Sequence, residues 1–297
     1  MNCYLCGSNA FKKRPGQVRG LISLKKGVTN FDDDVSVLEC SECGLVILSS
    51  HDHINEEHYK NSGQHPDNVP DIDWWLKETK KDDERRFNFL KSKIKDKNVL
   101  DFGCGIGGFV ERAQKIATSA NGIELETAIR DSFKDRNLSV FPNLKNAIDS
   151  NLKWDLITAF HVLEHLPDPL SALNNLSSLL STDGEIIIEV PNSEDALLSL
   201  YDSRSFQDFV YWCEHIFVFS ESTLSALMTK ANLKINWIKY IQRYPLSNHL
   251  YWLAHNKPQG HEIWSFLDDT DLNNRYESQL AKKGLTDTII LSVGASN

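Results

Sequence analysis

The sequence predicts an α/β protein, a doubly wound seven-stranded sheet preceded by a small cysteine-bracketed module. Three observations predict it. Apolar strand segments alternate with helical segments between Asn98 and Val190, a glycine-rich loop ends the first of those strands, and two C-x-x-C-G pairs bracket the N-terminal region. Such alternation gives a sheet wrapped by right-handed crossovers, with strands expected to run parallel. With 297 residues, 41% hydrophobic and 25% charged, the chain has the composition and length for one main core and a smaller appendage.

Residues 1–48 are short-period and turn-rich, and read as a ribbon of β-hairpins. Cys3 and Cys6 stand 33 intervening residues before Cys40 and Cys43. Four thiolates on two such knuckles make a closed tetrahedral site with no position left for water, so the expected zinc is structural. It would supply folding energy to a segment too small for its own core. Cys104 and Cys213 remain as lone thiols expected to be packed. The basic residues Lys12, Lys13, Arg14, Arg19, Lys25 and Lys26 form either a solvated face or a site for a phosphate on a small substrate.

Residues 49–95 are expected to be linker and lid helices. The stretch from Ser49 to Pro70 is polar, with His51, His53, His58 and His65 reading as solvated loop residues. Helical spacing follows from Asp71 to Lys95, with Phe87, Leu90 and Ile94 on one face and Trp74 and Trp75 opening it. Residues 96–297 then carry the main domain. Its expected strands are 98–102, 119–124, 138–141, 155–160, 185–190, 235–241 and 288–293, and its expected helices 109–116, 127–136, 169–180 and 222–231. An insertion at about 243–286 separates the last two strands.

The loop Gly103-Cys104-Gly105-Ile106-Gly107-Gly108 follows a strand and opens a helix, the context in which glycines admit a ligand close to the backbone. The glycines alone also satisfy a dinucleotide fingerprint, with Glu124 at the distance for a ribose hydroxyl. Asp101 decides between the cofactors. At the carboxyl end of its strand it suits a ligand ammonium group and repels a pyrophosphate. In this segment the sequence resembles class I methyltransferases that use S-adenosylmethionine, over roughly residues 70 to 240, which implies a Rossmann-like methyltransferase fold. The resemblance further implies that Gly103, Gly105 and Gly107 line the methionine part, that Glu124 takes the ribose hydroxyls, and that Phe160 contributes backbone.

Beyond the fourth strand, His161-Val162-Leu163-Glu164-His165 to Pro169 resembles the V-L-E-H-x-x-D-P stretch of small-molecule methyltransferases, and Glu185 to Pro191 their fifth strand. His161, Glu164 and His165 can share one face of a helical turn. Further on, Trp212-Cys213-Glu214-His215 precedes a helix that Ser220 can cap. This segment resembles that of sugar C-methyltransferases, which also begin with a four-cysteine zinc module. The resemblance implies His165, Glu214 and His215 as catalytic positions and Trp212 as a substrate contact. Those enzymes carry a further C-terminal domain, whereas this chain is expected to end with the last strand of the sheet. Histidine suits the removal of one acceptor proton, so His215 is expected as base, Glu214 as its orienter and His165 as the group that polarises the substrate. In the insertion, Arg243 and Asn248 suit sugar hydroxyls or a phosphate, and His161 is a further substrate-binding candidate; its aromatics either close over the acceptor or simply pack.

These readings imply methyl transfer to a small molecule, foremost a sugar or nucleotide sugar of surface-polysaccharide synthesis. Two alternatives stay open. His161, Glu164, His165 and His215 can hold a divalent cation, as in a quinone or phenol O-methyltransferase, and a zinc-ribbon nucleic-acid binder is the third reading. A formal net charge of −9 sets the average field against nucleic acid. No apolar run spans a bilayer and no secretory signal is evident, so a cytoplasmic protein is expected.

Overall fold

The computed structural model of the chain describes residues 1–23, 27–30, 35–52, 54, 56–60 and 71–295; Lys25, Lys26, His53 and His65 lie outside the described residues. The N-terminal strands are β1 (Phe11–Lys13), β2 (Arg19–Ser23), β3 (Gly27–Asn30), β4 (Val37–Cys40) and β5 (Val46–Leu48). Helices α1 (Glu56–Lys60) and α2 (Ile72–Ile94) follow. The main domain then runs β6 (Asn98–Phe102), α3 (Gly108–Ala113), β7 (Ser119–Ile123), α4 (Arg130–Asp135), β8 (Ser139–Phe141), α5 (Leu144–Asp149), β9 (Trp154–Phe160), α6 (Pro169–Ser178) and β10 (Leu180–Pro191). It closes with α7 (Ala196–Ser199), α8 (Arg204–Val210), β11 (Phe217–Val218), α9 (Glu221–Lys230), β12 (Leu233–Ile241), α10 (Leu246–His255), α11 (Gly260–Ile263), α12 (Thr270–Ala281) and β13 (Thr288–Ala295).

Seven strands form the main sheet in the order β12-β13-β10-β9-β6-β7-β8. Its centre is apolar because helices cover both faces: Leu156, Ile157 and Ala159 of β9 and Ile186, Ile187 and Ile188 of β10 are buried. One strand departs from the parallel expectation. β13 runs antiparallel to both β10 and β12. The chain leaves β12 at the carboxyl edge, builds α10–α12 on that side, and re-enters the sheet from the same edge, which forces the last strand to run backwards.

Helix starts follow local chemistry. Asp71 accepts from the Trp74 amide to begin α2, and Asp168 accepts from Ser171 with Pro169 at the first position of α6. Ser220 and Thr223 form a capping box on α9, as the sequence predicts for Ser220. The expected helix over 169–180 is shorter, because β10 begins at Leu180 and carries a register shift before Glu185. The insertion between the last two strands is helical, built of α10, α11 and α12.

The ribbon is completed by the main domain. Its sheet runs β1-β4-β5-β11, so the two-residue strand β11, from between α8 and α9, pairs with Val46 and Ile47. Tyr4 of the first knuckle donates its hydroxyl to Asp168 and accepts from the Leu170 amide at the start of α6.

Candidate active site

At the four-cysteine cluster, Cys3 and Cys43 sulfurs lie 3.5 Å apart, as do those of Cys6 and Cys40, and all four lie within 4.8 Å of one another. Gly7 and Gly44 close the knuckles with φ of 76° and 77°, and their amides donate to the Cys3 and Cys40 carbonyls. That left-handed turn is why each C-x-x-C is followed by glycine. Burial opposes ionisation of Cys40, but the Cys43 and Glu42 amides outweigh it and bring the thiol down to about 7. Four thiols at this spacing fit a zinc ion.

The glycine loop lies at the carboxyl edge of β6. Gly103, Gly105 and Gly107 have φ of 72°, 50° and 79°. Asp101, Gly103, Gly105, Gly108 and Phe160 border a cavity of about 120 Å³, roofed by Trp75, Thr79, Asp83 and Arg86 of α2. Gly107 does not border it; a side chain there would stand 2.9 Å from Leu138 Cδ1, so this glycine serves the turn into α3. The Gly105 amide donates to Glu124 Oε2 at 2.8 Å and the Glu126 amide to Glu124 Oε1 at 2.9 Å, which ties the tips of β6 and β7 together. Asp101 is buried and accepts from Thr158 Oγ1 at 2.6 Å. Burial raises its carboxyl to about 7. A ligand ammonium beside it would restore the carboxylate, so the site favours a cation there.

A second cavity, of about 450 Å³, opens beyond the same edge. His161, His165, Trp212, Glu214, His215, Arg243 and Asn248 all line it, together with aromatic residues Phe206, Phe209 and Trp252. His161 is the pivot. It takes φ of 55° directly after β9, strained for a residue with a side chain, and its amide donates to the Glu189 carbonyl. Its Nδ1 lies 3.1 Å from Glu164 Oε1, and its Nε2 lies 3.3 Å from Glu189 and 3.2 Å from Arg243.

Glu189 has no exposed surface and gathers Arg85 at 2.8 Å and Arg86 at 2.7 Å. Burial opposes its charge, yet Arg86, His161 and Arg85 outweigh it and hold the carboxyl well below its ordinary value. Arg243 pairs with Asp82 of α2, so the charge assigned to substrate is already neutralised within the protein. Of the basic residues at the N-terminus, Lys12 and Arg14 pair with Glu39, and Arg19 is buried over the Phe209 ring at 4.1 Å.

The orienting contact expected between Glu214 and His215 is not made. Glu214 Oε1 lies 2.6 Å from His58 Nε2 instead. His58, expected to be solvated, therefore belongs to the site. So does Tyr59, whose hydroxyl lies 3.3 Å from His165 Nδ1. Nothing in the sequence around residues 56–60 signals this; the spacing to Glu214 is 156 residues. The His215 ring meets His165 edge-on at 4.9 Å, and burial, then the neighbouring His165, lowers its imidazole to about 3, leaving it neutral. Asp82, Arg85 and Arg86 of the site carry no local signal in the sequence, and the acid within Ile186-Ile187-Ile188-Glu189-Val190 is the one local sign of a buried charge pair. Burial raises the Cys104 thiol well above its ordinary value and pushes Cys213 up to about 12, in keeping with packed thiols.

Among the described residues no helix is long and apolar enough to cross a membrane. The chain is similar to a ubiquinone biosynthesis O-methyltransferase of Haemophilus ducreyi, at 30% identity over 36% of this chain and 52% of that one. It is also similar to an uncharacterized protein of Methanocaldococcus jannaschii, at 32% identity over 39% and 48%. It spans about half the length of these relatives. Among solved structures it is similar to a SAM-dependent methyltransferase from Archaeoglobus fulgidus, with a TM-score of 0.49, 17% identity, and 74% of this chain and 98% of that one covered. The profile of the methyltransferase-domain family matches residues 76–236, more than half of the chain. The chain belongs to the methyltransferase-domain family.

Proposed function

We propose that the protein transfers the methyl group of S-adenosylmethionine to a hydroxyl on a small neutral ring compound held in the 450 Å³ cavity. The observation that carries this reading is the convergence of residues from segments 161–165, 191–215, 243–261 and 287–288 on one cavity beside the glycine loop. Asp101, Gly103, Gly105 and Glu124 form the cofactor side, and the four cysteines hold a structural zinc. In the transfer the sulfonium C–S bond breaks, the methyl carbon bonds to the acceptor oxygen, and the hydroxyl proton passes to a base. His215, neutral and facing the cavity, is that base, with His165 polarising the acceptor. Glu214 acts through its bond to His58, which fixes the wall of the site.

A sugar is the first acceptor class: its ring face suits Trp212, and Asn248 suits its hydroxyls. Arg243, already paired with Asp82, does not favour a diphosphate. A phenol or quinol is the second, favoured by the convergence of Glu164 with His165 and His215 and by the name of the Haemophilus relative. The test is calorimetry with S-adenosylhomocysteine, followed by methyl transfer from labelled S-adenosylmethionine to a panel of sugars and dihydroxybenzenes, read by mass spectrometry. Binding of S-adenosylhomocysteine with a labelled product is expected. NADH binding without response to S-adenosylhomocysteine overturns the reading.

A further inference from the structure

Three donors meet on the wall of the acceptor cavity. Glu164, His165 and His215 each offer a ligand atom, and these atoms lie within 4.8 Å of one another. Glu164 is fully buried, and its two oxygens differ: Oε1 is 3.1 Å from His161 Nδ1, while Oε2 has no hydrogen-bond partner. Leaving a buried carboxylate oxygen unsatisfied is costly, so such an atom points to a ligand. Tyr59 sets the His165 ring, its hydroxyl standing 3.3 Å from Nδ1.

Charge and ligand type agree. One carboxylate and two imidazoles suit a divalent first-row ion, and the set differs from the four thiolates of the N-terminal site. The strong cations nearby are spent elsewhere, Arg85 and Arg86 on Glu189 and Arg243 on Asp82. His161 is not a ligand, since both its ring nitrogens are engaged; it orients Glu164, the usual part of an outer partner. His165 and His215 both face the cavity, so an ion held there keeps open positions toward the acceptor.

We propose that Glu164, His165 and His215 hold a divalent cation, and that the acceptor binds it through two adjacent hydroxyl oxygens. In the loaded site the ion takes over the part of His215 and His165, whose ring lone pairs it occupies: coordination lowers the pKa of a bound hydroxyl, and its proton leaves to water before the methyl group is transferred. Only the acceptor half of this rests on the methyl-transfer reading.

The test is titration of Co²⁺ into the zinc-loaded protein, followed by visible spectroscopy. One equivalent per chain with d–d absorption and no thiolate charge-transfer band is expected. Glu164→Gln and His215→Ala should each weaken uptake by at least about tenfold; should Glu164→Gln fail to fold, His215→Ala carries the comparison. No uptake, or uptake unchanged in the folded variants, overturns the cation site. 1,2-Dihydroxybenzene added to the Co²⁺-loaded protein should shift the d–d bands, and an unshifted spectrum overturns the chelation. Calorimetry with S-adenosylhomocysteine on the same protein separates the two readings: binding without Co²⁺ uptake removes only the cation, and uptake without binding removes only the methyl transfer.

Discussion

The glycine loop and the acceptor cavity share one edge of one sheet, yet they are made of different material. The loop is backbone, a run of consecutive residues from Asp101 to Gly108 whose positive φ values and amides do the work, closed by Glu124 from the next strand. The cavity is side chains, drawn from the turn after β9, the end of β10, α8, the turn before β11, α10 and the start of β13. A backbone site is set by local conformation; a side-chain site exists only when distant segments are docked. The two are joined where Val162, next to His161, packs on Gly103.

Emptying the proposed zinc site is the strongest way to pull the two regions apart. Structural zinc sites are worth on the order of 10–16 kcal/mol in small fingers. Cys40→Ser or chelation should drop zinc from one per chain to none and loosen the ribbon. Because β5 pairs with β11 just after Glu214 and His215, turnover should collapse while affinity for S-adenosylhomocysteine largely survives. Elemental analysis with calorimetry checks this, and equal loss of both properties would contradict the division.

His215→Ala strikes the cavity alone. Turnover should fall by about 10² to 10⁴ with cofactor affinity nearly intact, whether His215 takes the proton itself or holds the ion that acidifies the hydroxyl. Steady-state kinetics beside calorimetry is the measurement; full turnover on the true acceptor removes His215 from the chemistry.

Gly103→Ala should do the opposite and damage both regions at once. Its φ is 72°, and an added Cβ would stand 2.6 Å from Val162 Cγ2. Strain of about 1–3 kcal/mol is expected, divided between weaker cofactor binding and a displaced His161 segment. An unchanged affinity and turnover would show the loop to be more pliant than its backbone suggests.

The last effect concerns pH. Burial first, and the nearby Asp287 second, raise the Asp195 carboxyl to about 8 from its ordinary 3.8. The folded state therefore holds this proton more tightly than the unfolded chain, and stability falls as pH rises between those two values. Asp195→Asn keeps an oxygen for the Leu197 amide and removes the titration. Denaturant melts should find the variant and wild type equal below about pH 4, then the variant gaining by at most about 1.4 kcal/mol per pH unit up to about pH 8. Parallel curves would place the Asp195 proton elsewhere.

What the sequence by itself determined is what short-range physics specifies. Strand and helix alternation, the capping serine at 220, the glycine turn after β6 and the paired cysteine knuckles each depend on residues within a few positions of one another, and the seven strands of the sheet fall where the apolar runs stand. What only the tertiary structure decided depends on partners far apart in the chain. That Glu214 meets His58 and not His215, that Arg243 is neutralised by Asp82, that β11 completes the ribbon, and that β13 runs antiparallel all follow from docking. A side chain's local neighbours set its conformation, but burial decides its charge state and partner, and burial belongs to the whole fold.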